Sequence, residues 1–533
     1  MSMNTRVRTR IEQLNLPEFE LKTSFLYLLI CAGIILRCLT FWFVPASTDA
    51  FVYAAMGESF LKNGEFILPQ GNSFFVPGEP EYSHHFAPMY ALYLSLFFIP
   101  FGMSVEALKC ASIISGILII PVVYLCTANI WGRKMGLYAS ALFAVEPTST
   151  YLGGLGFAEN LLFVFFILTM WAILRGIKDE RYIAWAGLFA GLAYLTKSSM
   201  GWFFLFAGIC GFVWRFYYIR WRVFRSKYYM LGIALFVLFF GVWGVRNIMH
   251  FWDGTLPGIF SAWETSDYIS HVQWVIFTQP EPFLYAFVLR IPMFILFFLM
   301  LAWPWLLEMK AMKKLEERNS ALFLSIFLVY IVGMYFASAF WVFEHHPLFW
   351  FLIIRYVMPA NISIIWLVIN YYANQEQEMS SSHTPPEKCG VKPETRRKNV
   401  FAFNRGYVAS FITLFVIAIL VCTPMTGIPR ERGEIKALAW LRDHGHENMS
   451  IAIEDVHQYE VYVYLSQWHA RILAINNSPS AEYILTAHMD ENYSAYGYTI
   501  LHTFYSSGGF LASLNSPADV ILWKKNLSHA FVL

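Results

Sequence analysis

Two carboxylates stand where apolar runs of this sequence begin or end. Asp49 follows the first long run, residues 24–44, and Glu159 lies at the start of another, residues 158–174. If these runs span a membrane, ionisable groups at their ends are candidates for function, because charge is costly in a bilayer. Cationic residues stand near the ends of other apolar runs or within one: Lys197, Arg246 and Arg355.

This set of charges suits the transfer of a group away from a phosphate. A carboxylate can take the proton of an acceptor, and Arg and Lys can hold the phosphate and stabilise the charge that develops as it leaves. In a membrane protein, we expect this phosphate to be attached to a lipid, and the lipid to be a polyprenyl carrier. Structural roles stay open, since Glu159 also suits a helix N-terminus, and Lys197 and Arg246 could anchor helix ends at the interface.

The composition places the chain in the membrane. Of its 533 residues, 57% are hydrophobic and only 14% are charged, whereas a soluble domain carries roughly 25% charged residues. A net charge of +2 gives no reason to expect nucleic acid as a partner. The seven cysteines are scattered without metal-ligand spacing, so we predict no metal site, no cofactor and no disulfide framework.

Eleven apolar stretches have about the length of roughly 20 residues that a spanning helix needs. They are 24–44, 107–129, 136–152, 158–174, 183–197, 199–217, 229–249, 285–309, 320–343, 348–372 and 407–427. A further stretch, 86–103, is interrupted by Pro88 and Pro100. If it does not cross, every basic cluster between spans falls on the same side as the Arg-rich N-terminus, as the positive-inside rule requires.

We therefore predict an N-terminus in the cytoplasm, a C-terminus outside the cell membrane, and residues 86–103 lying along the outer surface or dipping into it. The predicted domains are a transmembrane module at 1–372 with a large first outer loop at 45–105, a polar cytoplasmic linker at 373–406, a last span at 407–427, and an extracytoplasmic domain at 428–533. Apolar periodicity in this last domain predicts a helix at 434–444 and strands at 449–453 and 470–475, which indicates a small α/β domain.

The residues on the predicted outer side resemble the motifs of C-type-fold (GT-C) glycosyltransferases, in the group of the protein O-mannosyltransferases and the lipid A aminoarabinose transferases. The similar elements run in order over about residues 24–370, and each is weak alone. They are Asp49-x-x-x-Tyr53-Ala, His85-Phe-Ala-Pro88-Met-Tyr90, Ala158-Glu159-Asn160, Gly191-Leu-Ala-Tyr-Leu-Thr-Lys197, Val245-Arg246-Asn247 and Arg355-Tyr356-Val-Met-Pro359.

The resemblance implies an all-α polytopic membrane enzyme with outer juxtamembrane helices. It implies a sugar donor on polyprenyl phosphate, an extracytoplasmic acceptor (protein, lipid or glycan) and transfer with inversion and without a metal. Asp49 takes the role of the base that activates the acceptor, and Glu159 the second acidic role. The implied substrate-binding and phosphate-binding residues are Tyr53, His85, Lys197, Arg246, Asn247 and Arg355.

The sequence departs from the family pattern at three positions. Ala50 stands where many relatives have a second acid, Ala87 replaces the first residue of a double proline, and His85 stands where some relatives place a phosphate-binding Lys. Without a Trp-Trp-Asp motif, the oligosaccharyltransferase branch is not predicted. Three alternatives remain: a lipid-linked glycan ligase or polymerase with a diphosphate carrier, a secondary transporter, and an inactive family member in which Tyr459, Tyr462 and Tyr464 bind glycans or peptides.

Overall fold

The computed structural model describes most of the N-terminal half of the chain and most of the C-terminal domain. The described residues are 23–44, 46–71, 77–83, 86–176, 178–197, 224–251, 362, 365, 366, 369, 373, 433–454, 456–474, 480–486, 493–496, 498–505 and 520–525. The predicted spans 199–217, 285–309, 320–343 and 407–427 lie outside these residues, as does the predicted linker apart from Ala373.

Five predicted spans are single helices in the structure. They are α1 (Thr23–Phe43), α4 (Val105–Trp131), α7 (Glu159–Gly176), α8 (Arg181–Thr196) and α9 (Lys227–Phe251), and their bounds lie within two residues of the predicted ones. Among the described residues, α1, α4, α7 and α9 are long and apolar enough to cross a bilayer. The predicted fold class, a polytopic helical membrane protein, is confirmed.

The predicted span at 136–152 is a broken helix. The chain forms α5 (Arg133–Ala144) and then α6 (Pro147–Leu155). Pro147 is the first residue of α6, where the missing N–H of proline costs nothing, but the same proline cannot continue α5. The break leaves the last carbonyl groups of α5 to be satisfied by other groups inside the membrane.

The stretch predicted not to cross contains α3 (Pro88–Phe101), a helix of 14 residues. At 1.5 Å per residue it is about 21 Å long, which is too short for a hydrocarbon core of about 30 Å. One side is buried against the protein and the other is an exposed apolar stripe of Leu92, Leu96 and Ile99. This arrangement suits a helix lying in or along the membrane surface.

The first loop begins with α2 (Thr48–Asn63), which ends at Gly64 in the left-handed conformation, with φ of 73°. A short hairpin of β1 (Ile67–Leu68) and β2 (Glu81–Tyr82) follows. The helix crosses α3 closely at Gly57, where an added Cβ would lie 2.8 Å from the carbonyl oxygen of Ala91.

The C-terminal domain is α/β. Helix α10 (Gly433–His444), β3 (Ser450–Glu454) and β4 (Arg471–Ala474) confirm the helix and the two strands that the sequence predicts. The other elements are α11 (Gln458–Tyr464), β5 (Tyr483–Thr486), β6 (Tyr498–Phe504) and β7 (Val520–Lys525). The sheet order is β4-β3-β5-β7-β6, with the first three strands parallel and the last two pairings antiparallel.

Of the predicted span 348–372, the described residues are helical and buried. Their spacing of three and four places them on one face, and Ala373, one residue beyond the predicted bound, is also helical. The indole N–H of Trp366 donates to Thr127 in α4 at 2.9 Å. These five described residues are therefore packed into the same core as α4.

Candidate active site

Several chain segments meet at one end of the helices, which we call the site end. The N-termini of α2, α4 and α7 lie there together with the C-termini of α8 and α9. The first loop and the C-terminal domain also contact this end. All the predicted site residues that the structure describes belong to these segments: Asp49, Tyr53, Glu159, Lys197, Arg246 and Asn247.

Asp49 lies in the first turn of α2, two residues after the N-cap Ser47. The backbone N–H of Ser47 donates to the carbonyl of Leu155 at 2.8 Å, which ties the start of α2 to the end of α6. A carboxylate in the first turn is stabilised by the helix dipole, so helix capping alone accounts for part of this position. Asp49 is partly exposed at a helix end whose position is fixed.

Tyr53 follows Asp49 by one helical turn on the same face of α2. Its hydroxyl donates to the carbonyl of Thr196, the last residue of α8, at 3.3 Å. Its ring packs edge-on against Phe86 and Tyr90, with centroids 5.0 and 5.1 Å away. Tyr53 therefore connects the helix of Asp49 to the end of α8, where Lys197 follows.

Lys197 and Glu159 form a buried ion pair. The ammonium group donates to Glu159 Oε1, and the side chains are only 13% and 2% exposed. Glu159 begins α7, and Lys197 caps the C-terminus of α8, so each charge stands at the helix end whose dipole favours it. Sequence analysis predicted separate roles for the two residues and did not predict that they pair.

Arg246 holds the first loop. Its Nη1 donates to the carbonyl of Ser83 at 2.6 Å and to Asn247 Oδ1 at 2.8 Å, and its Nη2 donates to the carbonyl of Phe66 at 3.3 Å. Both strands of the hairpin are thus joined to α9, because Phe66 precedes β1 and Ser83 follows β2. Asn247 is buried and orients the guanidinium.

Two aromatic rings lie against the same guanidinium. Its central carbon lies 4.9 Å from the ring centroid of Tyr82 and 4.4 Å from that of Trp243. Tyr82 also stacks on His250 at 3.7 Å, and its hydroxyl donates to Glu65 at 3.0 Å. The cation–π contact between Arg246 and Tyr82 is worth about 0.5–2 kcal/mol, and together with the stacking on His250 it holds the hairpin on α9.

Comparison with known proteins connects this geometry to one reaction class. Residues 84–244 match the family model of dolichyl-phosphate-mannose-protein mannosyltransferases. The fold matches that of ArnT from Cupriavidus metallidurans bound to undecaprenyl phosphate, with a TM-score of 0.55 and 11% identity over 96% of this chain and 100% of that one. The chain therefore has the fold of the GT-C glycosyltransferases, and the two matches together indicate glycosyltransferase activity.

A second fold match is the oligosaccharyltransferase of Archaeoglobus fulgidus in complex with zinc and sulfate. The TM-score is 0.51 at 14% identity, over 86% of this chain and 67% of that one. No curated protein matches the sequence. The predicted resemblance to GT-C glycosyltransferases is therefore confirmed.

The glycosyltransferase has Ala50 where many relatives have a second acid, and packing explains why this position is apolar here. Ala50 is fully buried. It faces Gly156, whose φ is +78° and where an added Cβ would lie 3.0 Å from the Ala50 Cβ and collide with Leu108. A carboxylate at position 50 would thus be buried between α2, α4 and the turn that leads to Glu159.

Sequence analysis missed a buried polar network beneath the site, which we call the brace: Arg37, Glu146, Ser149 and Asn160. Arg37 donates to the carbonyls of Ala144 and Phe143, the latter at 3.2 Å, and so satisfies the end of α5. The Glu146 carboxylate accepts from the Ser149 N–H at 2.5 Å and so caps α6. All four residues of the brace are at most 1% exposed.

The brace reaches the site through Asn160, the residue after Glu159. Its Nδ2 donates to the Ser149 carbonyl at 3.1 Å, and its Oδ1 accepts from the Ser149 hydroxyl at 3.2 Å. An added Cβ at Gly116 or Gly153 would lie 2.8 or 3.2 Å from this Nδ2, so the two glycines make room for the amide. The signal was present in the sequence, because Arg37 and Glu146 are charged residues inside predicted spans.

Two predicted site residues, His85 and Arg355, lie outside the described residues. Within the described ranges, no group of three His, Cys, Asp or Glu side chains is placed to hold a metal ion. The described site therefore contains the carboxylate of Asp49, the ion pair of Glu159 and Lys197, an arginine bound to the first loop, and the aromatic residues around Tyr53.

Proposed function

We propose that the enzyme transfers a sugar from a polyprenyl-phosphate donor to an extracytoplasmic acceptor, with Asp49 as the base. An acceptor heteroatom attacks the anomeric carbon while the bond from that carbon to the phosphate oxygen breaks. Asp49 takes the acceptor proton, and polyprenyl phosphate leaves with the bonding electron pair. Attack opposite the leaving group inverts the anomeric centre.

The observation that carries this proposal is the position of Asp49 relative to the ion pair. Asp49 and Tyr53 share one face of α2, and Tyr53 binds the residue before Lys197. The base and the paired Glu159 and Lys197 are therefore held by the same packed elements. A partly exposed carboxylate on a helix that is held in this way can take a proton from an acceptor while its own position stays fixed.

Glu159 and Lys197 act as a unit in this proposal. The pair presents a fixed dipole at the junction of α7 and α8, with its cationic end on Lys197. It can therefore contribute to phosphate binding while it stays paired. Arg246 and Asn247 serve chiefly to hold the first loop around the donor, since three N–H bonds of Arg246 go to oxygen atoms of the chain. We retain His85 and Arg355 as proposed phosphate ligands.

The carrier is proposed to be a monophosphate. The family-model description names dolichyl phosphate mannose, and the ArnT structure contains undecaprenyl phosphate. Supplying undecaprenyl-monophosphate and undecaprenyl-diphosphate sugars side by side to the enzyme in proteoliposomes tests this choice. Consumption of the diphosphate donor alone would favour the ligase or polymerase alternative.

The orientation is also a proposal. Positive loops on the N-terminal side place the site end and the C-terminal domain outside the cytoplasm. Attachment of a membrane-impermeant reagent to a cysteine introduced at exposed Tyr496 tests it in intact cells. Labelling only after the membrane is opened would contradict this topology.

Substitution of the base is the decisive test of the reaction. In Asp49→Asn the side chain keeps its size but cannot take a proton, so we expect transfer of a radiolabelled hexose or pentose from undecaprenyl phosphate to cell-envelope extract to fall by about 10²–10⁴-fold. Binding of undecaprenyl phosphate alone should persist. Asp443→Asn, an exposed site on the C-terminal domain, is the matched control and should keep its activity; transfer at the normal rate by Asp49→Asn would exclude Asp49 as the base.

A further inference from the structure

Helix α11 of the C-terminal domain contains three tyrosines in seven residues, and we call it the tyrosine helix. Its two faces belong to different cores. Val461 and Leu465 pack inside the C-terminal domain, whereas Tyr459 and Val463, also four residues apart, pack with α2 and α3. The helix therefore joins the C-terminal domain to the first loop of the membrane module.

Hydrogen bonds fix this contact at separate points of the first loop. The hydroxyl of Tyr462 donates to Glu58 Oε2 in α2 at 2.7 Å. The hydroxyl of Tyr459 donates to the carbonyl of Gly71, beyond β1, at 2.5 Å. Sequence analysis considered these tyrosines as residues that could bind glycans or peptides. In the structure, the hydroxyls of Tyr459 and Tyr462 instead form hydrogen bonds within the chain.

Two further contacts widen the interface. The ring of Tyr464 lies 5.8 Å from that of Phe51 in α2, and the Ser466 hydroxyl donates to the carbonyl of Met103, just before α4, at 3.1 Å. Burial raises the pKa of the Tyr462 phenol above its usual value, so this group stays a hydrogen-bond donor throughout the physiological pH range. Glu58 accepts this bond while it also pairs with Lys62 at 2.9 Å.

The tyrosine helix holds the same rigid element that carries the proposed base. Glu58 stands nine residues after Asp49 on α2, about 14 Å along the axis. The start of α2 is fixed by the hydrogen bond from Ser47 to Leu155. The tyrosine helix then fixes the direction of the α2 axis and the rotation of α2 about that axis, which we call its roll. A roll of about 20° would move a group 5 Å from the axis by about 2 Å, and misplacement of about 1 Å can cost 10²-fold in rate.

We propose that Tyr462 is a positioning residue: through Glu58, the C-terminal domain sets the orientation of α2 and so of the Asp49 carboxylate. The proposal rests on the role of Asp49 proposed above. It gives the C-terminal domain a function in the transfer reaction, although none of its described side chains is proposed to touch the donor.

The test is a double-mutant cycle on the full chain in proteoliposomes. Tyr462→Phe removes only the hydroxyl, and Glu58→Ala removes the acceptor. A hydrogen bond to a charged group corresponds to roughly a tenfold or larger change in a local equilibrium. We therefore expect amide hydrogen exchange in α2 to quicken about tenfold in each variant, and kcat to fall about tenfold while the donor KM changes less than about twofold.

The conservative variant separates positioning from general destabilisation. Glu58→Gln keeps an oxygen that can accept from Tyr462 and should have nearly the kcat of the unchanged protein. The double variant Tyr462→Phe/Glu58→Ala should be no worse than either single variant. Tyr496→Phe, at an exposed tyrosine of the same domain, is the matched control and should change neither exchange nor kcat.

The possible failures are distinguishable. Unchanged exchange in α2 of Tyr462→Phe, or additive effects in the cycle, would overturn the coupling between Tyr462 and Glu58. Faster exchange with normal kcat would show that the contact is only structural, which overturns the positioning role. Full activity of Asp49→Asn would show that Asp49 is not the base. Hydrogen exchange would still show, independently of that result, whether the tyrosine helix orders α2.

Discussion

A single methyl group added between α8 and α9 is predicted to separate the helices that carry Lys197 and Arg246. At Gly187 in α8, an added Cβ would collide with the carbonyl group of Gly232 in α9 and lie 2.7 Å from its Cα. These are backbone atoms, which no side-chain rotation can remove. Carbon atoms prefer separations of about 3.5–4.0 Å, so the helices must move apart by about 1 Å at this crossing.

The magnitude follows from the loss of contact. A gap of 0.5–1 Å forfeits roughly a quarter to a half of the dispersion energy of each contact, and overpacking costs about 1–3 kcal/mol. Lys197 stands ten residues further along, about 15 Å away, so a tilt at Gly187 also moves its ammonium relative to Glu159. We expect Gly187→Ala to be destabilised by about 1–3 kcal/mol and to lose activity by up to 10²-fold.

The control is Gly241→Ala in the same pair of helices. No described residue has an atom within 4 Å of the added Cβ there, so only helix propensity should act, which stabilises by up to about 1 kcal/mol. Chemical unfolding in mixed micelles gives both free energies, and sugar transfer gives both rates. Equal free energies of unfolding for the two variants would refute the argument that backbone contact at Gly187 holds α8 against α9.

Two further predictions concern buried charges. Lys197→Met removes the ammonium partner of a buried carboxylate and should lower the free energy of unfolding by roughly 3–5 kcal/mol. The double variant Lys197→Met/Glu159→Gln should lose clearly less stability, because the remaining side chain is neutral. If unfolding measurements gave additive losses for the two substitutions, the ion pair would be contradicted. Arg37→Met should cost a similar roughly 3–5 kcal/mol, because the end of α5 and the Glu146 carboxylate lose their cation, while Arg133→Met on the exposed start of α5 should change stability by less than about 0.5 kcal/mol. Equal losses for the two arginines would contradict the brace.

The sequence by itself determined five of the spanning helices, with bounds within two residues of those in the structure. This succeeds because a chain in a bilayer must satisfy its backbone hydrogen bonds locally, so a run of about 20 apolar residues has few alternatives to a helix. It also predicts that α3 does not cross the membrane, because charge bias between spans is a property of composition along the chain. The order of motifs then identified the fold, since each motif is local.

Only the tertiary structure decided which of these local features meet. Lys197 pairs with Glu159 across 38 residues, Arg246 binds Ser83 across 163, and Tyr462 reaches Glu58 across 404. No local periodicity encodes such pairs, because each depends on how closely helices approach. The separation between packed helices depends on glycines such as Gly187 and Gly232, and a hydropathy pattern does not reveal which glycines lie at a helix crossing.

The same reason explains what changed in the roles of individual residues. Arg246 stands at a helix end whether it binds a phosphate or the hairpin, and its neighbours in sequence are identical in both cases. The break before Pro147 is a local signal, but the partner of the freed carbonyls, Arg37, lies more than 100 residues away. Sequence therefore supplied the charges of this site, and long-range packing decided which of them are paired, which support the fold, and how Asp49 is held.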